Sequence, residues 1–443
     1  MPGADAADGP GPAGASPWIV LILLLAAFTI AVVVTTPWEP LAGATGQQAD
    51  PSRDFGADEQ ARADAYQREI RPPVYLGLAV GLAVTVGLGL TPLGARLVTA
   101  AARPLGGGWV WQVLLGGLAV LLTVRAATIA FSAWAESVRR DYGISTRSWA
   151  GWVADVGRSF GLQLAGTLLA VLVLVTLARA LPRWWWAVAA AAAAALVVAL
   201  SFVYPLLVEP VFNRFEPLPD GELRTSLLQM AQDDGIPVDD VLVADASRRT
   251  STFNAYVSGF GATRRIVVYD TLHDQAPPGE VRSVVAHELG HVAEHDVRNG
   301  TLLGALGAAA AVCALAGLLA WPWLLQRAGA VGVGDPRVLA LVLAVVAVLG
   351  FVSGPAQGLV SRRVETRADV HALDLTRDPQ TFAEMQRSLA LGSHADLEPP
   401  PVVFGLFASH PTAPQRIALA RAWADLNDVP EPHDLAPVAG SGR

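Results

Sequence analysis

Lysine is absent from these 443 residues, and all 31 basic side chains are arginine, a usage that points to a GC-rich bacterial genome. Charge of either sign is scarce, at 16% of the chain, where soluble proteins carry about 25%. With a net charge of −8 and no dense basic cluster, no surface here could neutralise a phosphate backbone, which excludes a nucleic-acid partner. Cysteine is nearly missing too. The lone Cys313 cannot form an internal disulfide, so the fold does not depend on an oxidising compartment. Its apolar surroundings mark it as a small buried hydrophobe. The first 17 residues lack any positive charge and are rich in Gly, Ala and Pro. A secretory signal needs a basic start, so 1–17 reads as disordered and the apolar run behind it as a retained membrane helix.

Hydrophobic residues, by contrast, make up 53% of the chain. Crossing a bilayer takes about 20 apolar residues. Seven runs qualify: Trp18–Thr35, Val74–Leu90, Trp109–Phe131, Leu162–Leu177, Trp184–Tyr204, Thr301–Leu325 and Val338–Val352. Trp184, Trp185, Trp186, Trp321 and Trp323 stand at run ends, where interfacial aromatics belong. Arg53, Arg62, Arg68 and Arg71 follow the first run, and Arg139, Arg140, Arg147 and Arg158 the third. By the positive-inside rule these loops are cytoplasmic, the N-terminus lies outside, and the C-terminus lies inside. The expected organisation is five membrane helices over 18–206, a polar segment 207–300, two further helices over 301–352, and a second polar segment 353–424. Residues 425–443 read as a disordered tail. Both polar segments face the cytoplasm.

Segment 207–300 has mixed texture. Leu223–Asp234 shows helical periodicity, whereas Val241–Ala244, Thr252–Val257 and Arg265–Tyr269 are short and rich in β-branched and aromatic residues, as strands are. Gly-rich Ser258–Thr263 would turn the second strand into the third. Glu280 to Arg298 reads as one helix running into the sixth span.

That helix carries His287-Glu288-Leu289-Gly290-His291. Positions i and i+4 share a helical face, so both imidazoles can reach one zinc ion, with Glu288 beside them as general base. Zinc lowers the pKa of a water it binds towards about 7, which makes hydroxide available near neutral pH. A third protein ligand is required. A metzincin would place glycine and histidine where Glu294 and Val297 stand, and His295 has the wrong spacing. The better candidate is Glu365 in Ser361-Arg362-Arg363-Val364-Glu365-Thr366-Arg367-Ala368-Asp369. Asp369, four residues on, could accept the N–H of a ligating histidine and fix its tautomer. A solvated, arginine-paired helix face remains the other reading of this segment. An intramembrane protease of the site-2 type would set its histidines in an apolar span, but here Glu280, Arg282, Glu294, Asp296 and Arg298 flank them.

Further motifs accompany these: Tyr204-Pro205, then Glu209-Pro210-Val211-Phe212-Asn213-Arg214-Phe215-Glu216-Pro217-Leu218; Phe253-Asn254-Ala255-Tyr256-Val257-Ser258-Gly259-Phe260-Gly261; Tyr269-Asp270-Thr271-Leu272; and Ser409-His410-Pro411 with Arg416. In this order they resemble the integral-membrane CAAX prenyl endopeptidases, relatives of the HtpX-type heat-shock proteases, over about 15–425. The resemblance implies one zinc per chain on His287, His291 and Glu365, with Glu288 catalytic. It also implies a mainly α membrane protein, in which about seven helices enclose a chamber and a small α+β gluzincin-like region sits on the cytoplasmic side. Peptide or protein substrates follow, lipid-modified ones included, beside membrane lipids. Bacteria generally lack prenylated CAAX proteins, which favours processing or quality control of membrane-associated proteins. A zinc-stabilised receptor or transporter is the alternative, although such a protein has no use for Glu288.

The remaining residues have physical readings. An edge strand at Thr252–Val257 could pair with extended substrate, with Asn254 bonding the substrate backbone. His410 could stabilise the oxyanion at the scissile carbonyl. Tyr256 and Arg416 are candidate substrate contacts, Arg416 either for a carboxylate of the substrate or as the partner of an acid. Arg125, inside the third span, either lines the chamber or snorkels to the interface.

Overall fold

The computed structural model describes residues 16–44, 48–207, 209–259 and 261–436. The disorder expected of 1–17 falls outside the described residues up to residue 15, as does that of 437–443. Among the described residues, seven helices are long and apolar enough to cross a membrane, at the expected places. The first half of the chain forms α1 (Pro17–Thr35), α2 (Ala57–Gly89), α3 (Pro92–Ala102), α4 (Gly117–Asp141), α5 (Trp149–Ala180) and α6 (Trp185–Leu207). Large apolar side chains such as Ile22, Val34 and Leu169 remain exposed on their outer faces, a surface suited to lipid.

The helices outrun the apolar stretches that announce them. Hydropathy ends where charge begins, but a helix needs only its backbone bonds to continue, so α2 starts at Ala57 and α5 at Trp149. The largest extension is α10 (Leu339–Thr376), whose 38 residues reach about 57 Å at 1.5 Å per residue. Glu365 stands 26 residues from Leu339, about 39 Å along and thus beyond a hydrocarbon core of about 30 Å. The last span and the Glu365 segment are one helix rather than two.

The polar segments combine into one α+β unit: β1 (Phe215–Pro217), α7 (Glu222–Asp233), β2 (Asp240–Ala244), β3 (Ala255–Ser258), β4 (Arg265–Tyr269), α8 (Pro278–Ala293), α11 (Pro379–Ser393), α12 (Pro401–Phe407) and α13 (Ala413–Leu426). Between α8 and α10 runs α9 (Asp296–Leu319), the sixth span. The sheet order is β1-β2-β4-β3, parallel between β2 and β4 and antiparallel elsewhere, which leaves β3 at an edge. Thr252–Asn254 precede β3 rather than belong to it. Strand alternation sends Val241, Ala255, Ile266 and Val268 to one face. There they meet Val281, Val284, Val285 and Leu289 of α8, with Leu373, Phe382 and Trp423 closing the core. α8 is therefore clamped between the sheet and three helices.

Two expectations are corrected. The helix from Glu280 to Arg298 is broken at His295, whose φ of 60° is left-handed, so α8 and α9 meet at a turn. The tail after Asp425 is not without structure as far as Ala436. Arg421 donates to the Pro432 carbonyl at 3.4 Å, and Ala436 N–H donates to the Arg53 carbonyl at 3.0 Å.

Arg421 also makes a two-point ion pair with Asp54; their side chains are 2% and 1% exposed. Removing one partner strands the other charge in the core. Arg421→Met is expected to cost about 3–5 kcal/mol. The change is read as the fall in unfolding midpoint in detergent, and an unchanged midpoint would show the pair to be solvated.

Candidate metal centre

α8 presents His287 and His291 on one face, with their rings perpendicular (88°) and 4.8 Å apart between centroids. α10 passes closely enough to bring Glu365 between them. The two helices cross at Gly290, where a Cβ would stand 3.0 Å from His371 Cβ and 3.2 Å from Ala368 Cα. A larger residue there would press on α10 at Ala368 and His371, just beyond Glu365.

The three donors fit one ion. His287 Nε2 lies 3.3 Å from Glu365 Oε2, His291 Nε2 lies 3.7 Å from Glu365 Oε1, and the two Nε2 atoms are 3.2 Å apart. Zinc bonds of about 2.0–2.1 Å spread tetrahedrally would separate their donors by about 3.3–3.4 Å. Glu288 is not among these donors. It is half-buried beside them, and burial pushes its carboxyl above the usual range, opposed by the two imidazoles.

Each histidine is braced from behind. His287 Nδ1 meets Asp369 Oδ1 at 2.9 Å, and Asp369 is fully buried. Arg416 Nε donates to the other oxygen of Asp369 at 2.8 Å, while its Nη2 lies 3.3 Å from His287 Nδ1. His291 Nδ1 meets Asp296 Oδ2 at 3.0 Å, and Asp296 pairs with Arg367. A carboxylate on Nδ1 fixes the tautomer that leaves Nε2 free for a metal. Asp296 was not foreseen. It is five residues beyond His291, about 140° round an unbroken helix, and only the left-handed turn at His295 brings it back.

Of the other expected residues, His410 joins the cluster, with Nε2 3.4 Å from Glu365 Oε1 and Nδ1 2.9 Å from Ser409 Oγ. Asn254 is exposed at the start of β3, its carbonyl taken by the Tyr269 N–H at 2.9 Å. Two further candidates make their contacts within the protein. Tyr256 points to the sheet face away from α8, where it packs with Leu242 and Val267 and reaches Glu209 Oε2 at 3.3 Å. Arg416 is the partner of Asp369, through Nε and Nη2. Arg125 sits midway along α4 with its Nε buried and without a hydrogen-bond partner among the described residues.

Burial of His287 opposes its charged form, but the bonds to Asp369 and Glu365 outweigh it and hold its pKa at about 9. A metal takes the neutral ring, so below pH 9 a proton must leave first. Zinc affinity is expected to fall by about tenfold per pH unit between 9 and 6. Competition titrations at pH 6.5, 7.5 and 8.5 read this, and equal affinities would mean that His287 is already neutral without metal.

Residues 217–424 match Peptidase family M48, and 59–214 match the CAAX prenyl protease N-terminal region of five membrane helices. A Bacillus subtilis protein, "Uncharacterized metalloprotease YhfN", is 31% identical over 288 residues, 63% of this chain and 66% of that protein. An Arabidopsis thaliana "CAAX prenyl protease 1 homolog" is 44% identical over 97 residues, 22% of this chain and 23% of the relative. The chain thus spans just under two thirds of the first relative's length and less than a quarter of the second's. The crystal structure of S. mikatae Ste24p superposes with a TM-score of 0.72 at 19% identity, covering 93% of this chain and all of that one. That likeness shows a shared fold, and with both matched regions in sequence the chain belongs to peptidase family M48, in its CAAX prenyl protease branch.

Proposed function

We propose that this multi-pass membrane protein is a zinc-dependent endopeptidase, with His287, His291 and Glu365 as ligands and its active site on the cytoplasmic side. One observation carries the reading: three donors at tetrahedral spacing, with a fourth acid, Glu288, held beside them and outside the ligand set. A receptor with a structural metal needs the three donors but not that acid.

Zinc bound there supplies Lewis acidity, which polarises a carbonyl and acidifies water near neutral pH. The side chains do the rest. Glu288, its basicity raised by burial, takes the proton from the attacking water and hands it to the leaving amine. In the tautomer in which Nδ1 accepts from Ser409, His410 would carry its proton on Nε2, at the Glu365 side of the cluster, where it could serve the oxygen that becomes negative at the scissile carbonyl. The free edge of β3, packed on α8, can add an extended peptide as a further strand, with Asn254 at its start. Asp369 and Asp296 keep the imidazoles aimed.

The arginine-rich loops after the first and third spans support a cytoplasmic position for this unit. The seven helices would enclose a chamber lined by Arg125, and the substrates would be peptides or membrane-associated proteins, plain or lipid-modified. The test is bound zinc and cleavage by detergent-purified protein, with a farnesylated and an unmodified peptide side by side. One zinc per chain with cleavage of either peptide supports the reading. Zinc without cleavage across varied peptides would return the receptor.

A further inference from the structure

Arg362 belongs to none of the roles above, yet it stands one helical turn before Glu365 on α10. It makes no ion pair among the described residues. Instead, its Nη1 donates to the carbonyl of Ala408 and reaches that of Phe404 at 3.5 Å, while its guanidinium lies over the Phe404 ring at 4.7 Å. Ala408 is the C-terminal cap of α12 and its N–H donates to the Phe404 carbonyl at 3.1 Å, so the guanidinium sits at the helix end, where a cation is favoured. α10 also approaches this point unusually closely. A Cβ on Gly358 would lie 2.8 Å from the Ala408 oxygen. On its other side α12 is held by Phe407, stacked on Tyr75 of α2 at 5.2 Å.

His410 follows Ala408 by two residues and touches Glu365, three residues after Arg362. The side chain of His410 is 57% exposed, so packing does little to fix it. Its place depends on where the chain enters and leaves the 408–412 segment. The exit is pinned by Thr412, which caps α13 in a reciprocal pair with Gln415. The entrance is pinned by Arg362.

We infer that Arg362 is a positioning residue: by clamping the C-terminal end of α12 to α10, it sets His410 against Glu365. Arg362 touches neither the metal donors nor, in this geometry, the substrate. The inference rests on the proposed role of His410 in peptide cleavage.

The test is a double-mutant cycle with an independent structural readout. Misplacing a group that acts in the transition state by about 1 Å can cost up to about 100-fold in rate. Arg362→Met is expected to lower kcat about 10- to 100-fold, with KM and bound zinc unchanged. Arg362→Lys, which keeps the charge but is shorter and lacks the planar group that lies over the Phe404 ring, should recover only part of this. In a His410→Ala background, Arg362→Met should cost less than about twofold more, because residues acting as one unit are non-additive. Hydrogen exchange of amides in 404–410 of the zinc-loaded protein should quicken, with α13 unchanged. Full multiplicative losses, or zinc loss from Arg362→Met, would overturn the inference. So would unchanged exchange, even if the wild type cleaves nothing. A fully active His410→Ala beside an inactive Glu288→Gln would remove the His410 role, and this inference with it, but leave the protease standing.

Discussion

Glu288→Gln is expected to retain one zinc per chain and to lose about 10²–10⁴-fold in turnover, the usual worth of a positioned general base. The amide keeps the size of the side chain but cannot take a proton. Metal should stay because the cluster that meets at ion-binding distance is His287, His291 and Glu365, with Glu288 outside it. Burial of the Glu288 carboxyl raises its pKa. A group raised in this way is an effective base only above that pKa, so wild-type kcat/KM should fall towards acid from a point above the ordinary glutamate range. The residual activity of the variant should lack that limb. Zinc content by elemental analysis and a pH–rate profile measure both. Appreciable cleavage by the metal-replete variant would move the base elsewhere, and loss of zinc would make Glu288 a ligand.

What the sequence could reveal follows from how far each signal extends along the chain. His287 and His291 are legible because a helix brings i and i+4 together, and Asp369 is legible beside Glu365 for the same reason. The seven spans are legible because hydrophobic runs are local. Asp296 was hidden, since its approach to His291 depends on one residue, His295, taking a left-handed conformation that neither hydropathy nor spacing announces. The alternatives left for Arg416 could not be decided either. Its partner, Asp369, is 47 residues away on another helix, and only the packing of α13 against α10 joins them. The direction of Tyr256 was hidden for a simpler reason. Alternation tells that Ala255 and Tyr256 face opposite ways, but not which of the two faces meets α8. The parallel pairing of β2 with β4 is likewise a long-range choice, fixed by the core that both strands share with α8.

The braces also rank the effects of losing parts of the centre. Each histidine of the cluster has a carboxylate behind it and an arginine behind the carboxylate: Asp369 with Arg416, and Asp296 with Arg367. Changing such an outer partner costs about 10–100-fold in metal affinity, because the ring stays but its aim and basicity suffer. Removing a ligand outright takes away a bond as well as an aim.

Glu365→Ala is therefore expected to weaken zinc binding by more than about 100-fold, beyond the range of the outer partners, and to abolish cleavage at ordinary zinc concentrations. Glu365 is the donor that α10 contributes, and its two oxygens lie 3.3 and 3.7 Å from the two imidazoles. Without it, α8 offers two nitrogens and no charge to offset the ion. The braces cannot substitute, because Asp369 and Asp296 face the Nδ1 edges of the rings and not the Nε2 side where an ion would be held. The loss has a second signature. Glu365 is one of the groups that hold the proton on His287, so in the variant the pH dependence of the remaining weak binding should begin lower than 9. Competition titration against a chelator at two pH values reads both effects. Zinc bound at wild-type strength in Glu365→Ala would mean that the third ligand lies elsewhere and that the contact of α10 with the histidines is structural alone.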